Sequence, residues 1–315
     1  MTFPYRADVK LTDVLKSRPF TLSAEVIPPR NGAEQAKVLE QIKTLIGGGA
    51  EFLAVTKGAG GSLRGGSLPI AQTVKEQFGV PCIAHFTCRD LSVAEIENQL
   101  MDHHYFGIRN ILALRGDPPD GQPEWKAREG GYQYAYQLIE QIVKLNRGAY
   151  LQRTGGPQAI SQEATDFCIG AAVYPEHPDP EERLRFFEEK TRAGADYAIT
   201  DMLFDPESYA RFLDLCSGRG IHVPILPGTR ILKSQAQAQK MMAKFRVKVP
   251  AETLARLPEV DGPGALERGV DLFLEYVERI KALGAPGVHL FVISDTAGAT
   301  SALQRLAVLT KQDKR

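Results

Sequence analysis

Several polar side chains stand where apolar, strand-like runs come to an end. Glu25 lies in FTLSAEVI, Thr56 in FLAVTK, His85 in CIAHFT and Asp201 in YAITDMLF, while Arg115, Gly116 and Asp117 follow NILAL. Tyr174 closes CIGAAVY, and His177 comes three residues later. A polar group buried without a partner costs about 1–3 kcal/mol, so each of these either has a partner or lines a wet cavity. Glu25 reads in two ways: an ion-pair partner for Arg30, or a carboxyl whose pKa is raised by its apolar surroundings and which serves as a general acid. His85 by itself reads as a satisfied core histidine. The spacing His85-x-x-Cys88 lacks the second cluster that a zinc site needs, so no metal is predicted. Arg115-Gly116-Asp117 places a guanidinium beside a residue that bends freely, which suits anion contact with close backbone approach. Pro118 and Pro119 then stiffen the loop carrying Asp117. His103 and His104 fall on a helical pattern and are read as surface or packing residues.

These residues need a frame that brings strand ends together. The strand candidates are Phe20–Ile27, Phe52–Lys57, Cys82–Thr87, Asn110–Leu114, Cys168–Tyr174, Tyr197–Phe204, Pro224–Pro227 and Val288–Ser294. Amphipathic stretches separate them, the alternation of βα units around a parallel sheet. AEQAKVLEQIKTLIGGGA and SLPIAQTVKEQFG close on glycines suited to a left-handed C-cap, and SVAEIENQLMDHHYFG opens with a Ser92–Glu95 capping box. Eight strands, each followed by a helix, predict a single-domain (β/α)8 barrel over residues 1–315. An open doubly wound sheet is the competing arrangement, but the first βα turn, VIPPRNGAEQ, has no G-x-G-x-x-G. Two stretches exceed ordinary loop length: Asp117–Gly130, and a polar insertion at about 147–166. The insertion precedes a strand, so it is read as decoration on the structural face. A barrel carries its chemistry on the opposite, C-terminal face, where all the polar strand-end residues above belong.

Composition limits the partners. The 38 basic residues balance 38 acidic ones, which argues against nucleic acid or an anionic membrane surface, since both need a basic excess. The first twenty residues lack the apolar core of a signal peptide, and no run approaches a membrane span. The four cysteines, Cys82, Cys88, Cys168 and Cys216, are expected as reduced, buried thiols in a cytoplasmic protein.

Taken in order, AEVIPPR, VTKGAG, AHFTCRD, ALRGDPP, GAAVYPEHP and GADYAITDMLFDPESYARF resemble the successive strand-end motifs of the methylenetetrahydrofolate reductase family. The resemblance runs from about Phe20 to Leu215 and continues more weakly beyond. It implies a (β/α)8 flavoprotein that binds FAD (or FMN), takes hydride from NADH or NADPH, and reduces 5,10-methylenetetrahydrofolate to 5-methyltetrahydrofolate. It further implies that Glu25 is the general acid that protonates folate N10, and that Asp117 sits close to the flavin and tunes folate binding. Thr56, His85, Arg115, Gly116, Tyr174 and His177 match positions contacting the flavin or its phosphates, and Lys190 matches a phosphate-side lysine. Family members commonly form homo-oligomers.

The departures matter as well. Asp201 stands where many members carry a glutamine that contacts folate and nicotinamide, which makes its protonation state part of the chemistry. PGTRILKSQ offers Arg230 and Gln235 but no stacking aromatic, and Asp295-Thr296 replaces an Asn-Arg pair. Arg183, Phe186 and Glu189 occupy helix positions that carry cofactor-side polar groups elsewhere. These differences leave room for a related barrel enzyme that uses another pterin carrier, another reductant, an electron-donating partner protein or no flavin, and for a non-catalytic folate- or flavin-binding subunit.

Overall fold

The computed structural model describes residues 3–59, 62–63, 65–118, 125–152, 162–245, 247–293 and 295–312. Its eight principal strands are β1 (Thr21–Val26), β2 (Phe52–Val55), β3 (Cys82–Thr87), β4 (Asn110–Leu114), β5 (Cys168–Val173), β6 (Tyr197–Met202), β7 (Ile225–Thr229) and β8 (Gly287–Phe291). All pair in parallel, and β8 returns to β1, closing the barrel. The predicted (β/α)8 architecture is therefore the observed one, with β3 and β4 at their predicted boundaries. The Ser92–Glu95 capping box forms. Gly49 (φ +115°) and Gly79 (φ +69°) take left-handed conformations where their helices end. The four cysteines are free and buried. His103 packs edge-on against Phe86 and bonds the Gln99 carbonyl oxygen at 2.6 Å.

The strands read as nearly continuous apolar runs because both faces are covered. On β1, Leu22, Ala24 and Val26 belong to the large core between barrel and helices. The alternate residues Ser23 and Glu25 turn inward, as the two-residue period of a strand requires. The lower barrel is apolar, filled by Phe52, Ala54, Ile83, Leu112, Cys168, Tyr197, Ile199 and Leu226. Gly170 makes that filling possible, since a Cβ there would lie 2.4 Å from the Tyr197 ring.

Sequence reading stopped β7 at Pro227, yet the strand continues to Thr229. Proline has no N–H for the ladder, and the pairing with β6 shifts register between Ile199 and Met202, opposite this residue. The Gly228 N–H then donates to the Thr200 hydroxyl at 2.8 Å. Sequence reading also left the helix Leu11–Ser17 unrecognised. Leu11 and Leu15 insert into the lower barrel and close it, each burial contributing roughly 1.5–3 kcal/mol. Asp8, just ahead of that helix, accepts the Cys82 N–H at 2.9 Å and the Asn110 side-chain amide at 3.2 Å.

Candidate active site

The upper mouth holds a cavity of about 610 Å³, within the size range of small-molecule sites. Glu25, Thr56, His85, Arg115, Gly116, Asp117, Tyr174, His177 and Lys190 all line it. They come from β1 to β5 and the segments that follow them, so nine of the ten residues singled out in the sequence meet in one place.

Glu25 sits between β8 and β2, level with Phe291 on one side and Ala54 on the other. Its side chain is buried, and burial raises its pKa to about 8. His85 is the neighbour, with Nε2 3.5 Å from Glu25 Oε2, and burial lowers its pKa to about 4. The pairing with Arg30 considered from sequence involves a side chain outside the described residues. Below this pair Ser23 meets His289 Nδ1 at 2.9 Å, so a polar column rises through one side of the barrel to the acid. Cys88, by contrast, lies in the outer core with its thiol toward the Arg115 carbonyl oxygen at 3.5 Å. It does not join His85 at the cavity.

Gly116 is where backbone freedom is required. It has φ +92°, and a Cβ there would lie 2.8 Å from Arg89 Cβ. Arg89 is buried, donates to the Asp117 carbonyl oxygen at 2.5 Å and pairs with Asp90 at 2.7 Å. The close approach anticipated at Arg115-Gly116-Asp117 is thus to an arginine that holds the loop from beneath. Arg115 lies over the Trp125 ring at 5.2 Å. Lys190, on the helix Pro180–Ala193, donates to the Ala172 carbonyl oxygen at 2.7 Å, with its charge 5.8 Å from the centre of the Tyr174 ring. Burial, helped by Arg115, lowers its pKa to about 8. His177 is exposed and its Nδ1 accepts the Asp179 N–H at 3.2 Å.

Asp201 is the exception, because it does not line the cavity. It lies within the register shift of β6, and such irregularities re-aim side chains. Its Oδ1 is buried without a partner, and burial, with Glu176 adding to it, raises its pKa to about 7. Sequence reasoning missed Lys57, Thr87, Arg89, Tyr134 and Tyr136, which also line the cavity. The two-residue strand period, counted on from His85, points to Thr87 and Arg89. Lys57 reaches Gln99 at 2.6 Å and lies 4.2 Å from the Phe86 ring centre. Tyr134 stacks on Tyr136 at 5.3 Å and tilts against Phe186 at 5.5 Å, an aromatic wall that no strand-end rule indicates.

Fold and cavity together define the class: a (β/α)8 barrel with a buried acid and a cation-bearing cavity at its C-terminal mouth. The family described as "Methylenetetrahydrofolate reductase" matches residues 10–307. The chain belongs to the methylenetetrahydrofolate reductase family. It is 30% identical to "Methylenetetrahydrofolate reductase (NADH) 1" of Arabidopsis thaliana, a match covering 95% of this chain and 50% of that protein. It is 29% identical to the "5,10-methylenetetrahydrofolate reductase" of Escherichia coli (strain K12), over 87% of this chain and 86% of that protein. The chain thus spans about half the length of the plant relatives it matches. Among solved structures, a Clostridium thermocellum protein described as binding two copies of 5-methyl-5,6,7,8-tetrahydrofolic acid superimposes with a TM-score of 0.54 at 14% identity, covering 95% of this chain and 99% of that one. Oxaloacetate acetylhydrolase gives 0.52 at 13%, over 98% and 88%. At these identities both speak for the barrel alone.

Proposed function

We propose that this chain reduces 5,10-methylenetetrahydrofolate to 5-methyltetrahydrofolate with a bound flavin, FAD in the first instance. The observation carrying the reading is Glu25, a carboxyl held protonated at neutral pH by burial at the edge of a ligand-sized cavity, in a chain of this family. The residues present fit a flavin. Thr56 Oγ1 and Thr87 Oγ1 are buried polar atoms without a hydrogen-bond partner, and His85 Nε2 has only Glu25 Oε2 beside it at 3.5 Å, all on side chains that line the cavity. Gly116 keeps one wall free of a side chain, Arg115 and Lys190 supply positive charge for phosphates, and Tyr134 and Tyr136 offer flat faces for an adenine. When bound, the flavin supplies the hydride. Glu25 donates a proton to N10 of the folate, which opens the ring and leaves an electrophilic one-carbon unit on N5. Asp117, which lines the same cavity, would bias folate binding, and the walls would hold donor and acceptor together, so that orientation would lower the barrier.

The name of the Arabidopsis relative supports NADH as the reductant. A second reading, a related enzyme with another carrier, reductant or partner protein, draws on Asp201, which replaces a neutral amide and stands outside the cavity. An anaerobic absorbance spectrum before and after adding 5-methyltetrahydrofolate tests the proposal. Flavin bands that bleach demonstrate reverse hydride transfer. A protein that binds added FAD and does not bleach excludes this substrate, and one that binds no flavin excludes the flavin route.

A further inference from the structure

The cavity that fits a flavin is lined from β1 to β5 and the segments following them, so a second reactant must approach Glu25 from the side of β7 and β8. Strand register fixes what stands there. Glu25 is level with Phe291 of β8, and Leu290 is level with Thr229 of β7. Arg230, the next residue, therefore stands at the height of the acid, two strands away. Its guanidinium makes no hydrogen bond or ion pair with the described residues, and its Nε is buried without a partner. A small cleft separates it from Phe291 and Asp295. Asp295 lies close enough to favour its charge but forms no ion pair with it: that carboxylate faces Lys233 at 3.5 Å and accepts the Gly298 N–H at 3.1 Å. Lys233 is itself engaged by Asp261 at 3.1 Å. Just past β8, Ile293 has φ +52°, a conformation seldom adopted by a β-branched residue, and such strain gathers at ligand sites.

An unpaired, partly buried guanidinium is costly unless an anion completes it. We infer that Arg230 is a specificity-determining residue that binds a carboxylate on the tail of the substrate whose ring lies against Glu25. The inference rests on the folate reading, since the acylglutamate end of a folate supplies such a carboxylate. A planar fork above the β7–β8 edge engages both oxygens of that group, so the tail is fixed without contact to the reacting carbon. Arg230 accordingly sets binding and leaves the chemical step alone.

The test compares wild type, Arg230→Gln and Arg230→Lys in the bleaching assay, with 5-methyltetrahydrofolate and with its α,γ-diamide, which keeps N10 and the aminobenzoyl group but has no tail carboxylate. Thermal midpoint and flavin content report folding. The expected result is that Arg230→Gln raises the half-saturating concentration of the folate roughly tenfold, the scale of one charge-assisted contact. The maximal rate and the response to the diamide stay as in wild type, and Arg230→Lys falls between. Equal weakening of both compounds, or of neither, overturns the assignment. So does a variant that weakens NADPH but not NADH and leaves the folate untouched, which would place a reductant phosphate at Arg230. Wild-type protein that binds flavin but neither pterin compound defeats the folate reading itself, and the inference with it.

Discussion

Glu25 Oε2 and His85 Nε2 lie 3.5 Å apart, yet across neutral pH the contact is one between two uncharged groups. Burial is the cause on both sides, lifting the carboxyl to about 8 and dropping the imidazole to about 4. A distance that reads as an ion pair is here a protonated acid beside a neutral ring. Proton transfer between them would create two buried charges, which the surroundings disfavour.

The rate of folate reduction should therefore follow the protonated form of Glu25. We expect kcat/KM to hold steady at neutral pH and to fall with unit slope above about pH 8. Glu25→Gln should lower turnover by at least about a hundredfold, the usual scale of acid catalysis, while flavin still binds. Normal turnover in that variant would remove Glu25 from the proton-transfer role.

Stability carries the same signature with a definite sign. The folded state keeps the Glu25 proton up to about pH 8, whereas the unfolded chain releases it near 4.5. Folding is therefore penalised as pH rises through that window, by up to roughly 1.4 kcal/mol per pH unit. Urea melts at pH 5 and pH 8 should show wild type losing stability over this interval more steeply than Glu25→Gln. Parallel curves would mean that Glu25 is ionised in the native state.

Two glycines separate site from scaffold. Gly116→Ala strains a left-handed backbone and drives a methyl against Arg89. It should cost about 1–3 kcal/mol and reduce flavin retention after gel filtration. Gly170→Ala presses on Tyr197 in the lower barrel and should cost a similar 1–3 kcal/mol with flavin retention intact. If both variants lose flavin in proportion to stability, the cradle at Gly116 has no specific role.

Lys190 offers a readout through charge. Because its pKa is lowered to about 8, its attraction for phosphate should weaken as pH rises through that value. FAD titrations at pH 7 and pH 9 should show wild-type affinity falling, and Lys190→Met should bind about tenfold more weakly at pH 7 with less change between the two pH values.

The barrel and most of its site were legible in the sequence because their signals are local. Apolar runs of strand length mark the sheet, and a polar residue at the end of each run marks the mouth. The unread parts depend on contacts between distant segments. Leu11–Ser17 is too short to announce itself by periodicity, and its role comes from the barrel end that it fills. Asp201 looked like a member of the mouth because it is a polar residue near the end of a strand-like run, whereas the mismatch opposite Pro227 shifts the register of β6 there. Tyr134 and Tyr136 line the cavity from the start of the helix Ala135–Asn146, far from any strand end.

The closure of the lower barrel also bears on how the chain reaches its native state. Asp8 bonds at once to the first residues of β3 and β4, and the Leu11 N–H donates to the Asn110 side-chain oxygen at 2.6 Å. A slip of one residue in either strand would turn these partners to the opposite face. The helix can dock only on strands already in register. A barrel with either strand out of register would lose these bonds and stay open at its base.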